Sequence, residues 1–390
     1  MLFKEVLGQE KLKELLLHSV REGRMPHAQL FLGPKGSANL ALALAFAQYV
    51  GCVNKQQDDA CGTCPSCMKH LKFVHPDLHF VFPVATTTKV KAKPISKNFL
   101  TEWRSLLDEN PYFSLFDWLK HIGVENKQGR ISVEESAHIL KDLSLKPYES
   151  ETRVMLIWMP EKMNIQAANK LLKIVEEPPQ KTLFLLVAES TENMLATVLS
   201  RTQMLKVPRY SDEEVLGYLT NCSVEQGKAK MISTLVEGNI YEALQLAEHV
   251  EDSEQNALNF VQWMRLCFSA LQVKDIDKLV QWSETMAKAG RENQKNFLLF
   301  ASNVMRDALL KNYGVEKMMK MNVSGQNFTM EKFAPFIHAE NCMEIISELN
   351  MAQLHIERNA NPKILFLDTS FKIARLLHKK LNQVLPEKNK

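Results

Sequence analysis

An α/β domain followed by all-helical segments is the fold class this sequence predicts, and three observations predict it. Short apolar runs alternate with helix-period segments as far as about residue 207, the pattern of a parallel sheet joined by crossover helices. Beyond that point strand-like runs stop, and helix follows helix to Lys390. At 390 residues, 45% hydrophobic and 24% charged, the chain is long enough for two or three domains with sizeable cores.

Taken in order, Gln29–Leu32 is a short apolar strand that runs into a turn at Gly33–Gly36, and an alanine- and leucine-rich helix follows from about Ala38 to Val50. Leu78–Val84, Arg153–Met159 and Thr182–Ala188 read as buried strands. Between the last two, Ile165–Glu177 is a helix with Ala167, Leu171 and Val175 on one face, Ala168 and Leu172 beside them, and Pro178-Pro179 as its stop. Ser211, followed three residues on by Glu214, is a capping box that opens the helical part. In the last helix Ile364, Leu367, Phe371 and Ala374 form the expected apolar stripe, and the tail from Lys379 to Lys390 reads as a frayed, charged end.

Several function classes drop out early. Lys4 and Glu5 interrupt any apolar core of a signal peptide, and the longest apolar run, Leu40 to Val50, is about half the length a membrane span needs. A cytoplasmic location without a membrane partner is therefore expected, and thiols stay reduced there. A formal charge of +3 is too small to imply nucleic-acid binding unless a local patch supplies it.

The strand, glycine turn and helix at 29–50 form the setting of a phosphate loop, G-x-x-x-x-G-K-[ST], but residues 33–40 read GPKGSANL. Gly33 and Gly36 remain, whereas Ala38, Asn39 and Leu40 stand where the motif has glycine, lysine and a hydroxyl residue. Asn39 carries no charge to meet a phosphate, and Leu40 offers magnesium no ligand. The strand that should end in carboxylates gives Trp158-Met159-Pro160 instead, with Glu161 past the expected place. The loop alone is equally readable as a glycine turn with no relation to ATP. Losing both halves of the site argues that no hydrolysis occurs there.

Cys52, Cys61, Cys64 and Cys67 follow the spacing C-x8-C-x2-C-x2-C, with Gly62, Pro65 and Ser66 as turn residues. Four thiolates on tight turns suit a closed tetrahedral zinc site, hence a structural one spanning about 52–70. Disulfides or free thiols are the alternatives, and so is a zinc ribbon that reads DNA, although only Lys55, Lys69 and Lys72 accompany it. Residues 85–130 carry Lys89, Lys91, Lys93 and Lys97, then Trp103, Phe113, Phe116 and Trp118. Such a segment can bind single strands, or be a solvated loop whose aromatics pack on the domain. The second reading is favoured. His27, before a buried strand, reads as a structural hydrogen-bonding residue.

The run Ala168-Asn169-Lys170-Leu171-Leu172-Lys173-Ile174-Val175-Glu176-Glu177-Pro178-Pro179 closely resembles the A-N-A-L-L-K-x-L-E-E-P-P signature of the AAA+ clamp-loader subunits of bacterial DNA polymerase III. Phe3–Gln9 resembles the family's N-terminal box, Pro26–Pro34 the lead-in to its phosphate loop, and Leu195–Thr202 the approach to its S-R-C motif. Arg358–Pro362 is similar to the end of its helical collar. The cysteine module sits where the family has one.

The resemblance implies an AAA+ domain over 1–208, a helical lid over 209–249 and a collar bundle over 250–390, with 85–130 as an insertion. Among family members, the degenerate loop points away from the ATP-hydrolysing gamma/tau kind. By resemblance Arg201, supported by Ser200, is an arginine finger lent to a neighbour's ATP, with Thr202 in place of the usual cysteine. Implied partners are gamma/tau and delta subunits, and through them the sliding clamp and primed DNA. Rival expectations are an active ATPase with an unorthodox site and a zinc-containing DNA-binding module.

Overall fold

In the computed structural model, the described residues are 1–379 apart from 125–126, 145, 249–250, 271–275, 316–318, 320–322, 324–327 and 359. The charged tail expected to fray lies outside them from 380 on, and so does Asn359 of the Arg358–Pro362 stretch. The chain divides into two compact units, Met1–Ala247 and Glu248–Lys390. Among the described residues no helix is long and apolar enough to cross a membrane.

The first unit begins with α1 (Glu10–Arg21), β1 (Ala28–Leu32) and α2 (Asn39–Gly51), then α3 (Pro65–Leu71), β2 (Leu78–Val81), α4 (Leu100–Glu109) and α5 (Leu115–His121). It continues with α6 (Val133–Leu143), β3 (Arg153–Trp158), α7 (Ile165–Glu176), β4 (Thr182–Ala188), α8 (Ala196–Leu199) and β5 (Gln203–Lys206). The five strands form one sheet in the order β2-β3-β4-β1-β5, and every pairing is parallel. β3 and β4 are buried along their whole length, as their unbroken apolar runs require of strands covered on both faces. Period two then divides β4 between two core layers. Leu183, Leu185 and Val187 join the layer that includes α2, and Phe184, Leu186 and Ala188 join the layer that includes Leu171 and Val175 of α7.

The sheet differs from expectation at both edges. β2 ends at Val81 and not at Val84, because Phe82 N–H donates to Ser96 Oγ (2.9 Å) and Pro83 has no N–H to give. Val84 pairs instead with Arg130 in an isolated antiparallel bridge. β5 is an additional strand, unmarked by apolar alternation. Only Leu205 of its four residues is buried, and its register on β1 (Gln29 against Gln203, Leu32 against Lys206) is set by the neighbouring strand. The 85–130 segment packs its aromatics inward. Trp103 and Trp118 are fully buried, Trp103 stacks on Phe82 at 4.2 Å between centroids, and Trp118 Nε1–H donates to Pro83 O at 2.7 Å.

The unit closes with α9 (Asp212–Asn221), α10 (Gln226–Leu235) and α11 (Ile240–Glu248). The capping box is formed as read: Glu214 N–H donates to Ser211 Oγ at 3.2 Å, and Ser211 N–H to the Glu214 carboxylate at 2.7 Å. Val215, Leu219, Ile232 and Ile240 continue the α2-side core without a break.

The second unit is helical in its described residues: α12 (Glu251–Ala270), α13 (Ile276–Lys288), α14 (Arg291–Asn312), α15 (Met330–Phe333), α16 (Cys342–Glu357) and α17 (Pro362–Leu377). Trp263 and Trp282 stack at 5.1 Å in its core, flanked by Phe297 and Phe366. Asn361 caps α17 by accepting from Lys363 N–H and Ile364 N–H, with Pro362 as the first helical residue. Of the stripe expected on α17, Ala374 is buried and Leu367 and Phe371 pack partly buried against the core. Ile364 is 66% exposed, and the buried face runs Leu365, Phe366, Thr369, Ser370, Ile373, Ala374 and Leu377. The bulk of Phe366 and the bond from Trp263 Nε1–H to Ser370 Oγ (2.7 Å) turn that face inward. Two hydroxyl residues therefore lie where only apolar ones were sought.

Candidate functional site

The glycine loop after β1 is pinned to the sheet and to α11. Gly33 N–H donates to Ala188 O at the end of β4 (3.1 Å). At Gly36 the backbone is left-handed (φ +77°), and a Cβ there would lie 1.8 Å from Asn239 Oδ1, so only glycine fits. Ile240 N–H donates to Gly36 O (3.2 Å), while Asn239 Oδ1 accepts from Glu242 N–H at the start of α11. Lys35 sets its ammonium 3.9 Å above the Tyr241 ring.

Asn39, at the motif's lysine position, turns inward and is buried. Its Nδ2 donates to Gly33 O and Ala188 O, each at 3.2 Å, and its Oδ1 accepts from Leu40 N–H at 2.8 Å. The side chain thus ties loop to strand with every polar atom engaged. Leu40 is buried in the core, and Ala38 likewise.

At the end of β3 the position expected to hold an acid is Trp158, packed on Trp103 and Phe113 at 5.1 and 5.2 Å. Met159 then takes a left-handed turn (φ +55°). Glu161 is buried, and its Oε1 accepts from Glu189 N–H at 3.0 Å. Burial pushes its carboxyl up to about 7, which disfavours the charged form a cation would need.

The four cysteines converge. Cys52 ends α2 and Cys64 caps α3, with Pro65 as that helix's first residue and Gly62 left-handed at φ +71° between them. Their sulfurs all lie within 4.8 Å of one another, with Cys52–Cys61 at 3.6 Å and Cys61–Cys67 at 3.9 Å. Zinc–sulfur bonds of about 2.3 Å in a tetrahedron require sulfur separations of about 3.8 Å. The set fits one metal ion and is too wide for a disulfide of about 2.05 Å.

Backbone N–H groups of Cys61, Cys64 and Cys67 each donate to the sulfur of the preceding cysteine, at 3.3–3.4 Å. Bonds from the backbone of Thr63 and Cys64 hold the Cys61 thiol down to about 6, whereas burial raises Cys52 and Cys67. At Cys64 burial opposes ionisation, but N–H bonds from Cys67 and Val53 outweigh it. Four adjacent thiols cannot all ionise without a compensating cation, and a divalent metal supplies that charge.

Arg201 lies just past α8 and is part-exposed, its side chain 40% accessible. Its Nη1 donates to Thr197 O (3.1 Å) and to Ser200 Oγ (3.2 Å), and its Nε pairs with Glu176 Oε1 at 2.6 Å. Ser200 Oγ–H in turn donates to Thr197 O (3.1 Å). The sequence pointed to Arg201 and Ser200 as site residues and gave no role to Thr197 or to Glu176, although both lie within the runs that resemble family motifs, Glu176 in the E-E-P-P signature. His27 has the structural role expected, its Nε2 3.0 Å from Val175 O at the end of α7.

The family described as DNA polymerase III, delta subunit, matches residues 8–211, from the approach to α1 through the cap of α9. The chain belongs to that family. In this delta-subunit family member the matched region contains the glycine loop, the cysteine set and Arg201. The delta' subunit of DNA polymerase III of Bacillus subtilis is 25% identical over 249 residues, covering 64% of this chain and 62% of that protein. The tau subunit of the same organism is 21% identical over 397 residues, covering 96% of this chain and 62% of that one. The chain therefore spans about six tenths of the length of these relatives. A solved gamma subunit-related protein of Thermotoga maritima aligns over 94% of this chain and 98% of its own, at 14% identity and a TM-score of 0.39.

Proposed function

We propose that this chain is a clamp-loader subunit of the delta-prime kind: it hydrolyses no ATP at its own loop and lends Arg201 to ATP held by a neighbour. The observation that carries the reading is the fate of the lysine position. Asn39 is spent on backbone bonds inside the fold, while Arg201 is part-exposed with an oriented guanidinium. Cleaving a phosphoanhydride requires cation and metal neutralisation of the developing charge, and neither Asn39, Leu40 nor Trp158 supplies it. A guanidinium reaching the γ-phosphate from another subunit stabilises that charge and contributes roughly 10³–10⁵-fold in rate.

The proposed assembly is a ring with gamma/tau and delta subunits in the cytoplasm, acting on the sliding clamp at primed DNA. Within it, 1–208 would be the AAA+ domain, 209–249 the lid and 250–390 the collar. Cys52, Cys61, Cys64 and Cys67 would hold a structural zinc, which cross-links the loop between α2 and α3 and supplies no reaction chemistry.

The tau relative, matched over 96% of this chain, favours a second reading, an active ATPase. One experiment separates the two. The isolated chain with magnesium and ATP is expected to show no turnover by phosphate release, and turnover would sink the proposal. In the reconstituted complex, Arg201→Ala is expected to leave assembly intact and slow DNA-stimulated ATP hydrolysis by about 10³-fold. Full activity in that variant would remove the finger role.

A further inference from the structure

Arg201 has five N–H groups in a planar fork, and the described contacts divide them unevenly. Glu176 Oε1 lies 2.6 Å from Nε as an ion pair, Thr197 O and Ser200 Oγ accept from Nη1, and among the described residues none accepts from Nη2. Glu176 is itself well anchored. It is the last residue of α7, whose inner face of Ala167, Leu171 and Val175 is buried, and whose end is stopped by Pro178-Pro179. Its neighbour Glu177 closes the helix with an N–H bond to Lys173 O (3.3 Å). A carboxylate at a helix C-terminus gains nothing from the helix dipole, so a guanidinium beside it relieves the negative end.

We infer that Glu176 is a positioning residue: its carboxylate pairs with the Arg201 guanidinium at Nε and thereby holds Nη2 ready for the nucleotide of the neighbouring subunit. This rests on the finger reading of Arg201 and adds a residue to it. Arginine has a long, rotamer-rich side chain, and an unrestrained one would lose that freedom in reaching the phosphate. Fixing it beforehand places the cost on folding rather than on the transition state. An exposed pair of this kind contributes little to stability, so its loss should spare the fold.

The test is steady-state ATP hydrolysis by the reconstituted complex carrying E176Q, E176A, R201A or the double variant E176A/R201A. E176A is expected to lower kcat about tenfold, with E176Q between it and wild type and KM for ATP within about twofold. The double variant should be no slower than R201A alone, since both substitutions act through one guanidinium. In the isolated chain, the Arg201 Nε–H resonance should shift on E176Q, a readout that needs no partner subunit. Normal kcat in E176A beside an impaired R201A would overturn the inference while leaving the finger in place. A faster E176A would overturn it too, making Glu176 a mask on the charge. A fall in melting temperature that accounts for the lost rate would make Glu176 merely structural. An unimpaired R201A would take down the finger reading and this inference together.

Discussion

Asn39 in the glycine loop and Glu161 past the end of β3 are both used to hold the fold together. Asn39 bridges the loop to β4, and Glu161 reaches from the turn after β3 to Glu189 N–H. Glu161 carries a pH signature. Burial first of all, with Glu189 nearby, raises its folded carboxyl from 4.5 to about 7. Between those values the folded chain keeps a proton that the unfolded chain releases. Stability should therefore fall as pH rises through that window and level off above it. Glu161→Gln cannot ionise, so its urea unfolding midpoint should lack this decline. The variant should match wild type near pH 4.5 and exceed it near pH 8, by up to about 3 kcal/mol. Parallel pH profiles for the two proteins would contradict the argument.

At the scale of elements, the cysteine module is anchored in the core at Cys52, Ala60 and Cys67, while the loop between the first two is exposed. Residues 53–59 are largely exposed, and the segment is held by the four sulfurs, by Ser66 Oγ–H to Gly51 O (2.6 Å) and by the Asp59 carboxylate on Phe3 and Lys4 N–H. Removing metal with a chelator, or making Cys61→Ser, should lower the melting temperature by about 5–10 °C. The untreated protein should contain one zinc per chain by elemental analysis. Zinc that changed DNA affinity and left melting untouched would favour the ribbon reading instead. The sheet shows how far elements can be read from local pattern. β3 and β4 were legible as unbroken apolar runs, and α7 because its apolar residues repeat at the helical period. β5 was not, since Gln203–Lys206 is a strand only because β1 offers it an unpaired edge. On α17 the periodicity marked a helix and most of its inner face, but not that Ile364 is exposed and Ser370 and Thr369 are buried, which depends on what packs against them.

For the whole molecule, the first unit has a continuous core from the sheet through α9, α10 and α11, and the second has a core of its own. A fragment of residues 1–247 is accordingly expected to unfold cooperatively by circular dichroism, retain one zinc and keep the Arg201 Nε–H resonance of the full chain. A molten fragment would mean that the helical unit is required for folding. The same division bears on function. Every residue proposed for a chemical role, from the loop at Gly33 to Arg201, belongs to the first unit.

The order of residues along the chain was enough for the strand–loop–helix frame, the family, the cysteine quartet and the absence of a lysine at position 39. Each of these is local, carried by neighbours in sequence or by short fixed spacings. Tertiary structure alone decided that Asn39 turns inward to Ala188 and that Phe82 gives its N–H to Ser96 and leaves the sheet. It alone decided that Ser370 of α17 faces Trp263 and that Glu176 meets Arg201. Those pairings join groups far apart in the chain. Their energies depend on burial and on which polar partners remain available once the backbone has packed, and neither quantity exists before the fold does.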